Sequence, residues 1–226
     1  MKIHHDVDAS DTMYPARAAI VHSILHDVTT VPIGASIYGY VMTGKIEIFC
    51  AGVVEAVAVA GEGMAFCVPA GSSLKTVSGA AKYWAVSRFG FIAPLALARP
   101  EQRGRLSYID SCSDSLLFYP PRRGDGSMSL LYFPPGINQT WHTHPSIRLG
   151  LVISGDGVAE WRDEAGAFHS QELLAGDCFM LNEHQLHRFS TRSGEHMRIL
   201  AYHPDGDWGP EDHNHTMLNR TYVRGS

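Results

Sequence analysis

Short apolar runs separated by glycine-containing turns fill the chain from Val31 onwards. Runs of this length are typical of β-strands, because a helix needs a longer segment with an apolar period of about 3.6 residues. Regular short strands joined by turns indicate a β-sandwich or a β-barrel. The sequence therefore predicts an all-β fold, in which the segment Pro15–Asp27 is open to either a short helix or a first strand.

The predicted strands fall into two series, separated by a connector at Pro94–Gly104. The first series comprises Ser36–Met42, Ile46–Cys50, Val53–Ala60, Met64–Val68, Ser73–Val77 and Tyr83–Phe91. The second comprises Leu106–Ile109, Leu116–Tyr119, Ser127–Phe133, a histidine strand within Gly136–Gly157, Val158–Arg162, Ala167–Leu174, Cys178–Leu181, His187–Ser190 and Met197–His203. The polar tail that begins at Pro204 is expected to pack over one rim of the second fold.

Two segments, one in each series, share a pattern of residue types. Both Gly39–Gly44 (GYVMTG) and Gly150–Gly155 (GLVISG) read glycine, apolar, valine, apolar, hydroxyl, glycine. The shared pattern indicates that the two halves are copies of one β-domain. We therefore predict two domains, at residues 1–104 and 105–226.

The stretch Gly136–Gly157 contains His142 and His144, which are separated by a single residue. Side chains at positions i and i+2 of a strand leave the same face, so both imidazoles can converge on one metal ion. A second glycine-bounded run, Gly176–Arg188, contains His187, which can supply a third imidazole from a neighbouring strand. The alternative is a polar strand face with solvated histidines. Because imidazole is the commonest metal ligand in proteins, the pattern favours a metal site.

The composition is that of a globular protein, with 45% hydrophobic and 18% charged residues. A net charge of −5 gives no electrostatic basis for binding nucleic acid or an anionic membrane, so neither is predicted as a partner. No run approaches the roughly 20 apolar residues of a membrane-spanning helix. The polar N-terminus is unlike a secretory signal, and the 4 cysteines lack metal-type spacing. These features predict a cytoplasmic protein with free thiols.

At these histidines the sequence resembles the cupin superfamily. The first cupin motif reads glycine, five residues, histidine, one residue, histidine, three or four residues, glutamate, six residues, glycine. Gly136, His142, His144 and Gly155 stand at those positions, and Arg148 stands in place of the glutamate. The resemblance implies a metal held by the histidines, with one of the family's usual ligands replaced.

The second cupin motif reads glycine, five residues, proline, one, glycine, two, histidine, three, asparagine. Gly176 and His187 match it in the second half, where Asn182, His184 and Thr191 replace the proline, glycine and asparagine. In the first half, Gly63, Pro69 and Gly71 match the motif better. The resemblance thus implies a bicupin, with two jelly-roll β-barrels in one chain.

The first predicted barrel has no histidine at the positions that match the metal ligands of the second. The internal match carries His142, His144 and Arg148 back onto Val31, Ile33 and Ile37, and His187 back onto Leu74, all of which are aliphatic. We therefore expect these aliphatic side chains to be buried in a metal-free barrel that supports the fold.

Arg148 is predicted to face the cavity, because it shares strand parity with the two motif histidines. A guanidinium does not ligate metal, and beside a dication it requires an anion. That anion is either a protein carboxylate, of which Glu183 is the nearest in the second motif, or the carboxylate of a substrate. The alternative is that Arg148 bends out to solvent at the barrel mouth.

Several other residues are candidates for the site. His184 is a candidate catalytic residue, because it replaces a motif glycine in a turn and can swing towards the metal. Gln185 and His203 are candidate substrate-binding residues on the basis of strand parity, and Trp141 is a candidate for shaping an apolar pocket. Arg148 is a candidate for both roles.

Similar three-histidine cupins include thiol and diketone dioxygenases, in which the metal binds both substrate and dioxygen. The resemblance implies one divalent transition metal, with Fe(II) favoured and Zn, Ni, Mn or Cu open. It predicts a mononuclear Fe(II)-type dioxygenase acting on a small carboxylate-bearing metabolite that Arg148 holds. A metal-dependent lyase or isomerase and a non-enzymatic small-molecule-binding or sensor cupin stay open. The expected partner is an anionic small molecule, and the protein is expected to be a monomer or a homodimer.

Overall fold

The computed structural model describes residues 1–3, 6–90, 93–122, 124–206 and 221–223. The chain forms two compact units, one of Asp6–Pro100 and one that joins Met1–His5 to Glu101–Ser226. The structure is almost entirely β, as the sequence predicts, with a 3-10 turn at Ile109–Ser111. Among the described residues there is no helix long and apolar enough to cross a membrane.

The described strands of the N-terminal unit form a six-stranded and a four-stranded antiparallel sheet. They are β2 (Asp6–Asp8), β3 (Ala16–Ile24), β4 (Val28–Thr30), β5 (Ala35–Thr43), β6 (Lys45–Phe49), β7 (Ala58–Gly61), β8 (Ala65–Val68), β9 (Ser73–Thr76), β10 (Ala80–Phe89) and β11 (Ala96–Ala98). Their orders are β11-β8-β5-β10-β3-β2 and β4-β9-β6-β7. The segment that was open to helix or strand is therefore strand β3. The last predicted strand of the first series, Tyr83–Phe91, ends at Phe91, which lies outside the described residues.

The C-terminal unit is built around one long strand, β16. Its strands are β1 (Lys2–Ile3), β12 (Leu106–Ser107), β13 (Ser113–Phe118), β14 (Ser127–Phe133), β15 (His142–Thr143), β16 (Arg148–Arg162), β17 (Phe168–Leu174), β18 (Cys178–Leu181), β19 (His187–Ser190), β20 (Met197–His203) and β21 (Tyr222–Val223). The strands follow the order β12-β13-β14-β20-β16-β19-β15-β21, with β17 and β18 also on β16 and β1 on β18.

Strand β16 changes partners along its length. Its first half pairs with β18 and β20, and its second half pairs with β17 and β19. The register against β20 shifts between Val152 and Ser154, where a bulge bends the strand. The bend lets one strand pair with both sheets of the barrel, whose core contains a cluster of apolar side chains.

The internal repeat is visible in the packing. Gly39 on β5 pairs with Phe66, and Gly150 on β16 pairs with Phe179. A Cβ atom built at either glycine would lie 2.3 or 2.1 Å from the ring of its partner, so in both barrels only glycine leaves room for the aromatic side chain. The two halves therefore share this packing of an aromatic ring over a glycine, as well as a sequence pattern.

The aliphatic residues that replace the metal ligands in the first barrel are buried at three positions of four. Val31, Ile37 and Leu74 belong to the core of the N-terminal unit, with exposures of 0%, 3% and 1%. The prediction was wrong for Ile33, which is 97% exposed. Ile33 lies in a turn in which the Ala35 N–H donates to the Pro32 carbonyl, so its side chain points away from the sheet.

We expect Leu74→Ala to lower the free energy of unfolding of the N-terminal unit by about 2–5 kcal/mol, because it leaves a cavity in a close-packed core. Ile33→Ala is the matched control, since it removes an aliphatic side chain of similar size from solvent. We expect it to change the stability by less than about 0.5 kcal/mol. Urea unfolding measures both, and equal effects of the two substitutions would contradict this account of the core.

Candidate metal centre

Strand pairing brings two of the predicted ligands face to face. His142 on β15 is the direct antiparallel partner of His187 on β19. Directly opposite residues of an antiparallel pair project to the same side of the sheet, so the two imidazoles share the barrel interior. Their ring centroids are 4.4 Å apart.

His144 completes the group. Its ring centroid lies 5.2 Å from that of His142 and 5.1 Å from that of His187. One potential ligand atom from each ring lies within 4.8 Å of the others, and all three residues are buried. Over the described part of the chain, no other set of three His, Cys, Asp or Glu side chains lies close enough to hold a metal ion.

Hydrogen bonds orient the rings. The Nδ1 atom of His142 lies 2.8 Å from the Thr140 carbonyl oxygen, and that of His187 lies 2.7 Å from the Gln185 carbonyl oxygen. A carbonyl only accepts, so both rings carry their proton on Nδ1 and present the Nε2 lone pair. Metal-binding histidines are commonly held in this way through the nitrogen that does not ligate.

The electrostatics favour neutral imidazoles. Burial lowers the pKa of His142 to about 4 and holds the pKa of His187 well below its usual range, and the charge of Arg148 acts in the same direction on both. The Nε2 atom of His187 is buried without a hydrogen-bond partner in the described structure. Three buried imidazoles with an unsatisfied ring nitrogen among them fit a divalent metal, which such nitrogens bind when neutral.

A small cavity of about 30 Å³ lies against the three histidines. Apart from the histidines, its polar lining consists of Tyr108, Gln139 and Arg148. The rest of the wall is apolar and comprises Leu131, Phe133, Phe179, Leu181, Phe189, Ile199 and Ala201. A small molecule in this cavity therefore meets a few polar groups in an apolar enclosure.

Arg148 lines the cavity and is 3% exposed. Its Nη1 donates to the carbonyl oxygens of Ser146 and Ile147, at 3.1 and 2.9 Å. The same atom lies 3.5 Å from a carboxylate oxygen of Asp205, which is equally buried and also accepts from the Ser146 hydroxyl. A buried ion pair thus balances the guanidinium charge.

The structure does not bring the remaining sequence candidates into the cavity lining. Glu183 and His184 are exposed, and His184 occupies a turn with φ 55° in which its N–H donates to the His144 carbonyl. Gln185 bonds to backbone atoms at Asn182 and Arg162. The reason is the same for all of these residues, because the turn before β19 faces solvent rather than the barrel interior.

Trp141 and His203 are also absent from the lining. Trp141 packs on the outer surface, 5.4 Å from the Phe168 ring and beneath the Arg188 guanidinium at 4.7 Å. His203 is buried at 2% exposure and pairs with Ser127 on β14. Trp141 directly precedes His142 in the chain, and successive side chains of an extended segment alternate in direction, so Trp141 takes the opposite face.

Sequence reasoning missed Tyr108, Gln139, Asp205 and Thr221. The Gln139 side chain donates to Cys112 Sγ and accepts from the Phe189 N–H, so it fixes the cavity wall. The Tyr108 hydroxyl lies 3.0 Å from that of Thr221, and the Thr221 hydroxyl lies 3.5 Å from His144 Nδ1. Tyr108, Asp205 and Thr221 lie outside the cupin motifs, and Gln139 is one of the unspecified residues between Gly136 and His142, so no spacing rule connects them to the histidines.

Asp114 is a second buried acid of this unit. It is 1% exposed on β13, and burial raises its pKa to about 7, although a hydrogen bond with the Ser129 side chain acts in the opposite direction. Its register partner is Leu131, a residue of the cavity wall. Asp114 therefore lies on the interior side of the sheet and is protonated in mildly acidic solution.

We expect Asp114 to lower the free energy of unfolding as the pH rises from about 4 to about 7. The folded protein holds the proton over that range while the unfolded chain, with a pKa of 3.8, has released it, so unfolding becomes easier as the pH increases. At about 1.4 kcal/mol per pKa unit the loss is at most about 4 kcal/mol. Urea unfolding at pH 5 and pH 8 should show a smaller difference for Asp114→Asn than for the wild type. The exposed control Glu164→Gln should retain the wild-type difference.

We also expect metal content to depend on the paired histidines. Protein purified without a nickel column should contain metal by plasma emission, and His142→Ala/His144→Ala should reduce it to background because two of three nitrogens are lost. His184→Ala is the matched control, since it removes an exposed imidazole near the site. Unchanged metal in the double variant would exclude these residues as ligands.

Comparisons with known proteins agree with this architecture. Residues 134–215 match the family model described as the AraC-like ligand binding domain. Germin-like protein 9-3 of Oryza sativa subsp. japonica is 23% identical over 140 residues. That match covers 61% of this chain, and the chain spans 63% of the length of the germin-like protein.

Among solved structures, the chain is similar to variants of the oxalate decarboxylase of Bacillus subtilis. A deletion variant is 12% identical with a TM-score of 0.59, and the match covers 92% of this chain and 79% of that chain. A variant in which phenylalanine replaces a tryptophan is 13% identical with a TM-score of 0.61 and the same coverage. At this level of identity the likeness concerns the fold. Taken with the repeated barrels, these matches show that the chain has the fold of the bicupins, with two β-barrels in one chain.

Proposed function

We propose that the protein is a mononuclear metal-dependent enzyme that oxidises a small carboxylate-bearing metabolite. The observation that carries this proposal is the presence of Arg148 in the wall of the cavity that the three histidines line. The histidines provide nitrogen ligands, and the guanidinium provides a positive charge at the same cavity.

The charge balance supports an anionic ligand. Burial keeps His142 and His187 neutral, and Arg148 is paired with Asp205, so the charges of these four residues sum to about zero. No carboxylate belongs to the described lining of the cavity. A divalent metal held there keeps its full charge, and an anion that enters a cavity of low dielectric is strongly favoured.

The role that we assign to Arg148 is to bind and orient the carboxylate. The bonds from Nη1 to Ser146 and Ile147 and the contact with Asp205 fix the side chain in one rotamer. A guanidinium that is already ordered loses little further freedom when it binds a planar carboxylate through paired hydrogen bonds. The apolar wall then encloses the body of the metabolite and excludes water.

When bound, a divalent transition metal with open positions supplies Lewis acidity and, for Fe(II), activation of dioxygen. The donor set of three imidazole nitrogens leads us to favour Fe(II). The apolar wall admits dioxygen, which is itself apolar. Mn(II) is the principal alternative, because Mn(II) centres are described for the oxalate decarboxylase of Bacillus subtilis.

Two further candidate functions each have a specific observation in their favour. The likeness to oxalate decarboxylases favours a metal-dependent lyase, such as a decarboxylase of a small acid. The match to the AraC-like ligand binding domain favours a module that binds a small molecule without turnover. All three functions use the same cavity and the same carboxylate contact.

One experiment separates the three. Protein loaded with Fe(II) or Mn(II) is mixed with a panel of small mono- and dicarboxylic acids, and both oxygen uptake and carbon dioxide release are recorded. We expect uptake of oxygen that depends on one class of acid. Carbon dioxide release without oxygen uptake would contradict the oxygenase and support a lyase. Saturable binding in calorimetry, with neither oxygen uptake nor carbon dioxide release, would support the small-molecule sensor.

We expect Arg148→Leu to weaken acid binding at least about tenfold while the metal content stays unchanged, since arginine is not a ligand. Because the substitution alone leaves the Asp205 charge buried without its counterion, Arg148→Leu/Asp205→Asn is the better-matched variant. Calorimetry with the active acid measures the binding, and plasma emission measures the metal.

Arg162→Leu is the control for this prediction, because it removes an exposed arginine from the other end of β16. Arg148→Glu restores the residue of the cupin motif, and we expect it to raise metal affinity and abolish acid binding. Wild-type acid affinity in the neutral double variant would exclude Arg148 as the carboxylate-binding residue.

A further inference from the structure

The three candidate ligands differ in how their Nδ1 atoms are held. For His142 and His187 the partner is the carbonyl oxygen of the residue two positions earlier in the chain, Thr140 or Gln185. For His144 the described partner is the Thr221 hydroxyl, at 3.5 Å, from the C-terminal part of the chain. Two rings are therefore held by local backbone, whereas the third has a partner in a distant segment of the chain.

Backbone pairing holds this segment in place. Strand β21 is antiparallel to β15, with Val223 opposite His142 and Tyr222 opposite Thr143. Continuing the same register places Thr221 opposite His144. The contact between the Thr221 hydroxyl and the imidazole thus follows from a strand pairing on the histidine strand itself.

The Thr221 hydroxyl also reaches the cavity wall. It lies 3.0 Å from the hydroxyl of Tyr108, which is 7% exposed and lines the cavity. When Nε2 of His144 is a ligand, its proton is on Nδ1, so the Thr221 oxygen accepts from the ring. The hydroxyl hydrogen of Thr221 is then directed at the Tyr108 oxygen, which orients the phenol in the wall.

We propose that Thr221 is a positioning residue of the metal centre. It holds His144 in the tautomer that presents Nε2 to the other two imidazoles, and it links that ring to Tyr108. The segment that contains Thr221 and strand β21 therefore contributes to the geometry of the centre. This inference rests on the proposed metal-binding function of the three histidines.

The test compares Thr221→Val, which keeps the shape and removes the hydroxyl, with Thr221→Ser, which keeps the hydroxyl. Tyr222→Phe is the matched control, because it removes an exposed hydroxyl from the neighbouring residue of the same segment. Two quantities are measured in the full-length chain. One is the dissociation constant for Mn(II), and the other is the tautomer of His144 in metal-free protein, read from the ¹⁵N shifts of its ring nitrogens.

We expect Thr221→Val to weaken Mn(II) binding by about 10- to 100-fold, as is typical for partners of ligating histidines, and to shift His144 towards a mixture of tautomers. Thr221→Ser should restore both quantities, and Tyr222→Phe should leave both at the wild-type value. A wild-type tautomer and wild-type Mn(II) affinity in Thr221→Val would overturn the role of Thr221. Failure of the wild type to bind Mn(II) would instead overturn the metal centre, and the tautomer of His144 would still report on Thr221.

Discussion

The candidate site depends on a single antiparallel pairing, that of His142 on β15 with His187 on β19. The two residues are 45 positions apart in the numbering of the chain, and only the barrel places them opposite each other. Once they face each other, His144 joins them because it lies two residues further along the same extended segment. The geometry of the candidate metal centre is thus a consequence of strand register, and a shift by one residue would turn the imidazoles away from the interior.

A second constraint is electrostatic. Arg148 occupies the position of the cupin motif that usually holds a carboxylate. Its guanidinium would add a positive charge beside a dication. The chain compensates with Asp205, which supplies a buried negative charge just beyond the end of β20. The buried carboxylate therefore pairs with the arginine in this chain, whereas in the cupin motif a carboxylate stands among the metal ligands. This rearrangement leaves the cavity without a protein anion in its described lining, which is one basis of the anionic ligand that we propose.

The two barrels show how one fold can support a site or a core. In both, a glycine makes room for an aromatic ring from the next strand, Phe66 in one and Phe179 in the other. In the C-terminal barrel the interior positions are imidazoles around a cavity, whereas in the N-terminal barrel Val31, Ile37 and Leu74 fill the space. The packing that builds the barrel is therefore separable from the side chains that give it chemistry.

The sequence by itself determined the features that depend on local periodicity and spacing. Short apolar runs between glycines predicted the β-strands, the repeated glycine pattern predicted the two barrels, and the spacing of His142 and His144 predicted a shared face. Only the tertiary structure decided the features that depend on partners remote in the chain. The Pro32 turn exposes Ile33, and Asp205 and Thr221 reach the site through contacts that no periodic pattern encodes. Periodicity reports which face a side chain takes, whereas the neighbour it meets there is set by how the strands assemble.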